Sequence, residues 1–443
     1  MISDVEESII KQSYLSERIT HTIENVGDKL RNFYENEMEK TLYKHELDSI
    51  SLSEGYPGIC IFFQKLKSLN NKENDIDLII YELIQRNLSN LEATNSVSSS
   101  LWSGLTATAV AIKIIAKNDH NYKTLSLQLD DLLLNNLDEK IRTAEDNLRN
   151  KNIRMQDYDV IEGLTGIGRY LLMCKKDKKA KVMLEKILKY LVNLSKIDSI
   201  DNVSMPNWHI NMHNQFLEED KNLYPNGNFN LGISHGIAGP LSLLSRCLNY
   251  NIEVKGQREA IHNICSWYIK YKKEDKFGPY WPLRLSLEEI AQDNISKSVR
   301  NYEAWCYGIP GVARALWLAG ESLHEPTYSE VAVQAFSGMV NRPQKDQNIA
   351  SPTFCHGRAG LLYCFYRMYL STGNESFKHT VVQMIKETIE FFDENEFFGF
   401  YDLDKKEKKA NPGILTGAAG IALVLLSILK PSTDDWGLIF LIE

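Results

Sequence analysis

Two short segments place a thiol directly before a glycine motif: WCYG at residues 305–308 and CHG at residues 355–357. Two cysteines and one histidine make a ligand set that binds Zn²⁺ and leaves a fourth coordination position open for water or substrate. A lone buried cysteine is commonly a small core residue, but the equivalent placement of these two favours a metal. The pattern therefore predicts a zinc site formed by Cys306, Cys355 and His356.

This ligand set also indicates a type of chemistry. Two thiolates and a neutral imidazole balance the charge of Zn²⁺, and a substrate thiol at the open position would lose its proton. Because the site as a whole would then be negative, the substrate sulfur would stay electron-rich and nucleophilic. We therefore expect activation of a thiol rather than only polarisation of a carbonyl.

A histidine and several carboxylates precede other copies of the same glycine motif. His235 lies in GISHG at residues 232–236. A structural histidine is one interpretation; beside an activated thiol, the imidazole could donate or accept a proton near neutral pH. Asp157, Asp159 and Glu162 precede an earlier copy. Each could be an ordinary acid at a helix N-terminus, and the residue pattern alone does not choose among them.

The elements that position these residues follow from the motif itself, G-x-x-G running into apolar residues. Most of its copies open an apolar stretch typical of a helix buried on every side, and glycine allows close backbone approach there. Amphipathic segments lie between the copies, as at residues 76–83 and 184–191, and predict helices with one face in water. The seven copies begin at Gly55, Gly104, Gly163, Gly236, Gly308, Gly357 and Gly417, the second of them with Ala107 in place of its second glycine.

This alternation predicts an all-α fold, an α/α toroid of seven inner and seven outer helices that forms one domain over residues 1–443. An open solenoid would give a similar pattern. Residues 197–230, rich in asparagine and turn formers, interrupt the rhythm. We expect an inserted, β-containing excursion there, with short strands around residues 208–212. Residues 273–300 form a second long connection, which could lie over the same end.

Composition argues against several classes of protein. The formal net charge is −8 and no basic stripe offsets it, which argues against a nucleic-acid-binding protein. The first residues lack the basic start and apolar core of a signal peptide, and no apolar run is long enough to span a bilayer. Seven cysteines, an odd number with irregular spacing, argue against a disulfide framework. We therefore expect a cytoplasmic protein with reduced cysteines.

Four of the motif copies, taken in order, resemble those of the lanthionine synthetase C-like family, the cyclases of class I lanthipeptide biosynthesis. They are YDVIEGLTG at residues 158–166, GISHGIAG at 232–239, AWCYGIPG at 304–311 and CHGRAG at 355–360. The resemblance covers essentially the whole chain, and the length and the extra segment before the second motif look most like the nisin- and subtilin-type cyclases. It implies an α/α toroid in which Cys306, Cys355 and His356 hold Zn²⁺.

The resemblance also implies roles for individual residues. His235 matches the histidine regarded as a catalytic acid or base, Asp159 matches the acid of the YDV motif, and Tyr307 matches the tyrosine after the first zinc cysteine. One position departs from the pattern: where the family commonly has an arginine, this chain has Tyr302. Arg300 could replace that arginine if the loop is shifted.

By resemblance, the enzyme adds cysteine thiols to dehydroalanine or dehydrobutyrine of a dehydrated lantibiotic precursor with a leader peptide, forming lanthionine or methyllanthionine. The expected partners are this precursor, a lantibiotic dehydratase and an export transporter, which would place the protein peripherally at the inner face of the membrane. The alternatives are a non-catalytic adaptor that binds zinc and a thiol such as glutathione, and a prenyltransferase-like zinc enzyme that alkylates thiols. A glycosidase toroid, which needs two opposed carboxylates, fits less well.

Overall fold

The computed structural model of this chain describes residues 10, 13–37, 49–69, 73–94, 97–200, 203–295, 303–404 and 407–443. Within these residues, fourteen α-helices have ten or more residues, and we number them α1 to α14 in chain order. Their bounds are α1 Ser13–Asn32, α2 Tyr56–Leu66, α3 Glu73–Ala93, α4 Leu105–Ala116, α5 Lys123–Arg149, α6 Leu164–Met173, α7 Lys178–Leu194, α8 Ala238–Asn249, α9 Gln257–Lys270, α10 Ile309–Leu323, α11 Pro326–Val340, α12 Arg358–Thr372, α13 Glu375–Glu390 and α14 Ala418–Leu429.

Every even-numbered helix begins at a copy of the glycine motif. In six of the seven, the first glycine of the motif directly precedes the first helical residue; α8 instead begins at Ala238, two residues after Gly236. The even-numbered helices are buried along nearly their whole length, whereas the odd-numbered helices keep one side exposed. The alternation of buried and amphipathic helices predicted from the sequence is therefore confirmed.

Glycine is needed at these positions because the chain folds back against the start of the helix. A Cβ atom on Gly104 would lie 2.1 Å from the backbone oxygen of Ser98, and one on Gly417 would lie 2.6 Å from that of Asn411. These separations are well inside van der Waals contact. Any larger residue would therefore push the backbone of the preceding loop away from the helix.

The helices fall into two compact units. The first comprises Met1–Asp131 and Ile349–Leu438, and the second comprises Leu132–Asn348 and Ile439–Glu443. In the first unit, α2 packs against α3, α4 and α14, and α12 packs against α13. In the second unit, α8 packs against α6 and α10, and α10 packs against α11. In each unit, buried even-numbered helices thus contact one another and are flanked by amphipathic ones.

The described strands are short and form four two-stranded antiparallel sheets, which pair β1 with β2, β3 with β6, β4 with β5 and β7 with β8. Their bounds are β1 Ile197–Ile200, β2 Val203–Pro206, β3 Asn228–Asn230, β4 Lys273–Asp275, β5 Gly278–Tyr280, β6 Arg284–Ser286, β7 Asp402–Asp404 and β8 Glu407–Lys409. Shorter helical segments are Phe33–Glu37, His120–Tyr122, Met155–Tyr158, Met212–Asn214, Glu218–Leu223, Leu287–Ala291, Gln344–Gln347 and Pro431–Phe440. No helix in the described ranges combines the length and the apolar character that a membrane span requires.

The excursion at residues 197–230 contains β1, β2 and β3, but the strands predicted around residues 208–212 are wrong. That stretch contributes only an isolated bridge between Ile210 and Asn228. Its apolar side chains are buried by packing instead, as Trp208 is against the ring of Trp267. Because β3 pairs with β6, the excursion and the second long connection do meet within the second unit.

Candidate functional site

Two loops of the second unit bring a histidine onto a buried carboxylate. The Nδ1 atom of His235 lies 2.6 Å from Oδ2 of Asp159, whose side chain is only 2% exposed. Asp159 precedes α6, and His235 precedes α8. The main chains of the two loops also join, because the Val160 N–H donates to the Ser234 carbonyl at 3.0 Å. Residues far apart in the sequence therefore form one hydrogen-bonded pair.

The start of α6 fixes the position of Asp159. Its Oδ1 atom accepts the backbone N–H groups of Glu162 and Gly163, both at 2.7 Å. Gly163 permits this turn, since a Cβ atom there would lie 2.2 Å from the Asp159 nitrogen. With Oδ1 occupied by the backbone, Oδ2 is left to bind and orient the imidazole of His235.

This arrangement raises the pKa of His235. Burial alone would lower that pKa, but the hydrogen bond and negative charge of Asp159 outweigh burial, with a smaller contribution from Cys306. Nε2 of His235 has no hydrogen-bond partner among the described residues. A protonated imidazole with this nitrogen available can donate a proton to a bound molecule.

The residue pattern does not choose among Asp157, Asp159 and Glu162, but the structure gives each of them different contacts. Asp157 accepts the backbone N–H of Arg154 at 2.8 Å and caps a short helix. Glu162 contributes its backbone N–H to Asp159. Asp159 is the acid that binds His235. The structure thus distinguishes Asp159 from the other two acids by its contact with His235, and its catalytic role stays a prediction.

The WCYG segment packs against the loop that carries the histidine. The backbone carbonyl of Cys306 accepts the Ile233 N–H at 3.0 Å and the Ser234 hydroxyl at 3.3 Å. The side chain of Cys306 is buried. The hydroxyl oxygen of Tyr307 accepts a hydrogen bond from Asn230 Nδ2 at 2.9 Å. The second unit therefore gathers the three predicted catalytic residues and one predicted zinc ligand.

The other two predicted ligands lie in the first unit, directly before α12. The Cys355 N–H donates to the Leu415 carbonyl at 2.8 Å, and its side chain is half-buried. His356 Nε2 lies 3.2 Å from Oδ1 of Asp402, and the Ser351 hydroxyl donates to the same oxygen at 2.8 Å. Asp402 therefore orients the imidazole ring of His356.

Asp402 is a candidate functional residue that the sequence reasoning missed. Burial raises its pKa, but hydrogen bonds from His356 and Ser351 outweigh burial and hold the pKa below its usual value. A carboxylate that binds one ring nitrogen of a histidine fixes the ring and leaves the other nitrogen for a metal. No motif precedes Asp402. The only sequence signal at this position is an acidic residue within a polar connection.

A second missed residue is Arg284, the first residue of β6. Its guanidinium carbon lies 5.9 Å from the centre of the Tyr307 ring. The same side chain donates to Oδ1 of Asp220 at 2.9 Å, and both residues are largely buried. This cation depresses the pKa of His235 slightly, against the larger effect of Asp159. Nothing in the local sequence around Arg284 signals this placement.

The three predicted zinc ligands are divided between the two units. Cys306 belongs to the second unit, and Cys355 and His356 belong to the first. Within the part of the chain that the structure describes, no group of three or more His, Cys, Asp or Glu residues defines a metal site. The three-ligand set therefore stays a prediction. Tyr302 stands where the family commonly has an arginine, and Arg300 is its predicted replacement. Both lie outside the described residues.

Known proteins are similar to this chain over most of its length. The model of the family described as lanthionine synthetase C-like protein matches residues 46–441. The nisin biosynthesis protein NisC of Lactococcus lactis subsp. lactis is 27% identical over 339 residues, which are 76% of this chain and 77% of that protein. A solved structure of nisin cyclase matches with a TM-score of 0.80 at 25% identity, covering 95% of this chain and 97% of that one. The match confirms the predicted fold class, an all-α toroid with small sheets.

Proposed function

We infer that this chain, which belongs to the lanthionine synthetase C-like family, is a cyclase that adds cysteine thiols to dehydrated residues of a peptide and so forms thioether rings. The family match covers nearly the whole chain, and both the sequence and the fold are similar to those of nisin cyclases. One observation carries the proposed mechanism. His235 is held by Asp159 through Nδ1, and its Nε2 is available to a substrate.

Ring closure needs one sulfur–carbon bond and one proton transfer. The thiol loses its proton and its sulfur bonds to Cβ of dehydroalanine or dehydrobutyrine, while Cα gains a proton. The product has the composition of the substrate, so the step needs neither oxidant nor reductant. His235 is the proposed donor of the Cα proton through Nε2, because Asp159 raises its pKa and favours the imidazolium. Tyr307, which Asn230 holds beside the same loop, is proposed to assist this transfer.

Zinc is the proposed cofactor, with Cys306, Cys355 and His356 as its ligands. When bound there, Zn²⁺ would lower the pKa of the substrate thiol. The residues present suit this ion, because they are two thiols and an imidazole. The contact between His356 and Asp402 supports the proposal, since zinc-binding histidines usually give their second ring nitrogen to a carboxylate or carbonyl.

A dehydrated precursor peptide that keeps its leader tests the activity. Because ring closure leaves the mass unchanged, we would follow the loss of thiols that react with iodoacetamide. We expect the wild-type protein to consume these thiols, and His235→Ala to do so roughly 10²- to 10⁴-fold more slowly. Equal thiol loss with and without the wild-type protein would overturn the proposal. Peptide binding without ring closure would favour the adaptor alternative.

The proposed partners are a lantibiotic precursor with its leader, a dehydratase and an export transporter. A dehydratase must supply the dehydrated residues that the cyclase consumes, which is the chemical reason to expect it. Association with a transporter would place the protein peripherally at the inner face of the membrane. Affinity purification of the tagged protein from its native host should recover the dehydratase and the transporter, and recovery of neither would contradict this part of the proposal.

A further inference from the structure

An exposed aromatic residue lies against the proposed proton donor. The side chain of Phe216 is 78% exposed, the most of any large hydrophobic residue that the structure describes. Its ring is nearly parallel to the imidazole of His235, with 20° between the planes and 6.4 Å between the ring centroids. These values lie within the range of offset aromatic stacking. The two rings therefore line one continuous piece of surface.

Buried polar contacts anchor the segment on both sides of Phe216. Before it, Gln215 is buried, donates to the Ile210 carbonyl at 3.2 Å and accepts a hydrogen bond from Asn228 at 2.6 Å. After it, Asp220 in the short helix Glu218–Leu223 is buried and accepts the 2.9 Å hydrogen bond from Arg284. The Phe216 ring is thus presented to solvent by a segment that is tied to the second unit.

Single exposed apolar residues are ordinary on protein surfaces. Phe216 differs because its ring adjoins the residue proposed to protonate the substrate. Leu217 and Leu223, from the same segment, are also 48% and 69% exposed. An aromatic ring held in place beside a reacting group can bind an apolar side chain and exclude water from it. The occupant that must reach this surface is the peptide itself.

We propose that Phe216 determines specificity by forming an apolar subsite beside His235, which binds a hydrophobic side chain next to the dehydrated residue of the peptide. This inference rests on the proposed cyclase function and deepens it. It predicts a preference, measured as a lower KM, for peptides in which the reacting dehydroalanine or dehydrobutyrine is flanked by a hydrophobic residue. A polar or glycine neighbour would leave the Phe216 ring in water and would bind less tightly.

Two dehydrated peptides that differ only in this flanking residue, leucine in one and serine in the other, test the subsite. With the leucine peptide, Phe216→Ala should raise KM roughly tenfold, as expected from the loss of an apolar contact of this size, and should leave kcat nearly unchanged. With the serine peptide, the KM of the variant should equal that of the wild type. Phe216→Leu keeps part of the apolar surface and should give an intermediate KM.

Leu78→Ala is the matched control, because Leu78 lies on α3 in the first unit and is 59% exposed. It should change neither KM. Equal losses on the two peptides in Phe216→Ala, or no loss on either, would overturn the subsite. A wild-type protein that closes no ring on either peptide would instead overturn the proposed function, so the two failures are distinguishable.

Discussion

Asp159 controls the protonation of His235 through one hydrogen bond and one charge. We expect Asp159→Asn to lower the pKa of His235, because burial then opposes the imidazolium without a carboxylate to offset it. Since the imidazolium is the proposed proton donor, the alkaline limb of the pH–rate profile should move to lower pH. NMR titration of the histidine ring measures the pKa directly.

Asp157→Asn is the matched control, since it makes the same change in an acid that caps a helix. It should leave the pKa of His235 unchanged, and an unchanged pKa in Asp159→Asn would contradict the assigned contact.

The contact between His235 and Asp159 also makes the stability of the protein depend on pH. Because the folded-state pKa of His235 is raised, its stabilising contribution is fully present below the unfolded value of about 6.5. It is lost as the pH rises through the folded-state pKa.

Asp402 likewise acts on a single side chain, the imidazole ring of His356. Asp402→Asn should weaken zinc binding about 10- to 100-fold, the usual effect of removing a carboxylate that orients a metal-binding histidine. Competition with a chromophoric chelator measures the affinity. Asp393→Asn changes an exposed carboxylate of the same unit and should leave the affinity as in the wild type. Equal affinities in the wild type and Asp402→Asn would argue against His356 as a ligand.

At the scale of elements, the starts of the buried helices depend on backbone contacts that only glycine allows. Gly104→Ala places a Cβ atom 2.1 Å from the Ser98 oxygen and should destabilise the fold by roughly 3 kcal/mol or more. Gly373→Ala is the control: Gly373 has φ of 65° but nothing within 4 Å of its Cβ position. It should cost only about 1–2 kcal/mol. Urea unfolding would compare them, and equal costs would contradict the steric argument.

The helix starts are also where the sequence was most informative about the fold. A glycine that must avoid a carbonyl six residues upstream is a local requirement, so the motif marks the start of the helix without any knowledge of its neighbours. Five of the motif glycines have this contact: Gly55, Gly104, Gly236, Gly357 and Gly417. The strands were less predictable. The apolar residues around Trp208 predicted a strand. In the structure they are buried by packing, as Trp208 is against Trp267, and their only strand-like contact is the isolated bridge between Ile210 and Asn228. Alternating hydrophobicity reports burial and does not say which partner provides it.

At the scale of the whole molecule, the end of the chain closes the second unit through contacts with distant residues. The Nε atom of Arg314 donates to the Ile442 carbonyl at 2.9 Å, and Arg169 forms a buried ion pair with Glu443. Glu443→Ala should destabilise the protein by about 3–5 kcal/mol, because it leaves a buried guanidinium without this carboxylate. Urea unfolding measures the loss.

The double variant Arg169→Met/Glu443→Leu tests the cause, because it removes both charges of the closer ion pair and keeps apolar volume. Arg246, whose Nε atom lies 3.8 Å from the Glu443 carboxylate, stays charged in both variants. The double variant should recover most of the stability lost in Glu443→Ala, since a buried ion pair can be replaced by apolar residues at little cost. If the double variant is as unstable as the single one, the loss comes from packing around Glu443 or from Arg246, and not from the uncompensated charge of Arg169.

Metal content is a property of the whole chain. The purified wild-type protein should contain about one zinc, and Cys306→Ala and Cys355→Ala should each lose it. Cys265→Ala removes a buried cysteine of α9 and should keep it. Chelation of zinc should lower the Tm of the wild-type protein, because an ion that binds only the folded state stabilises it. Elemental analysis and thermal unfolding are the measurements, and zinc retained in both ligand variants would overturn the predicted set.

By itself, the sequence determined where the buried helices begin and which cysteines and histidines precede them. These features depend only on short, local segments of the chain. Only the tertiary structure decided that Asp159 rather than Asp157 binds His235, that Asp402 orients His356, and that Phe216 lies beside the imidazole. Each of these contacts joins loops far apart in the sequence. A local pattern reports the conformation of its own segment, and which segments meet depends on how the helices pack.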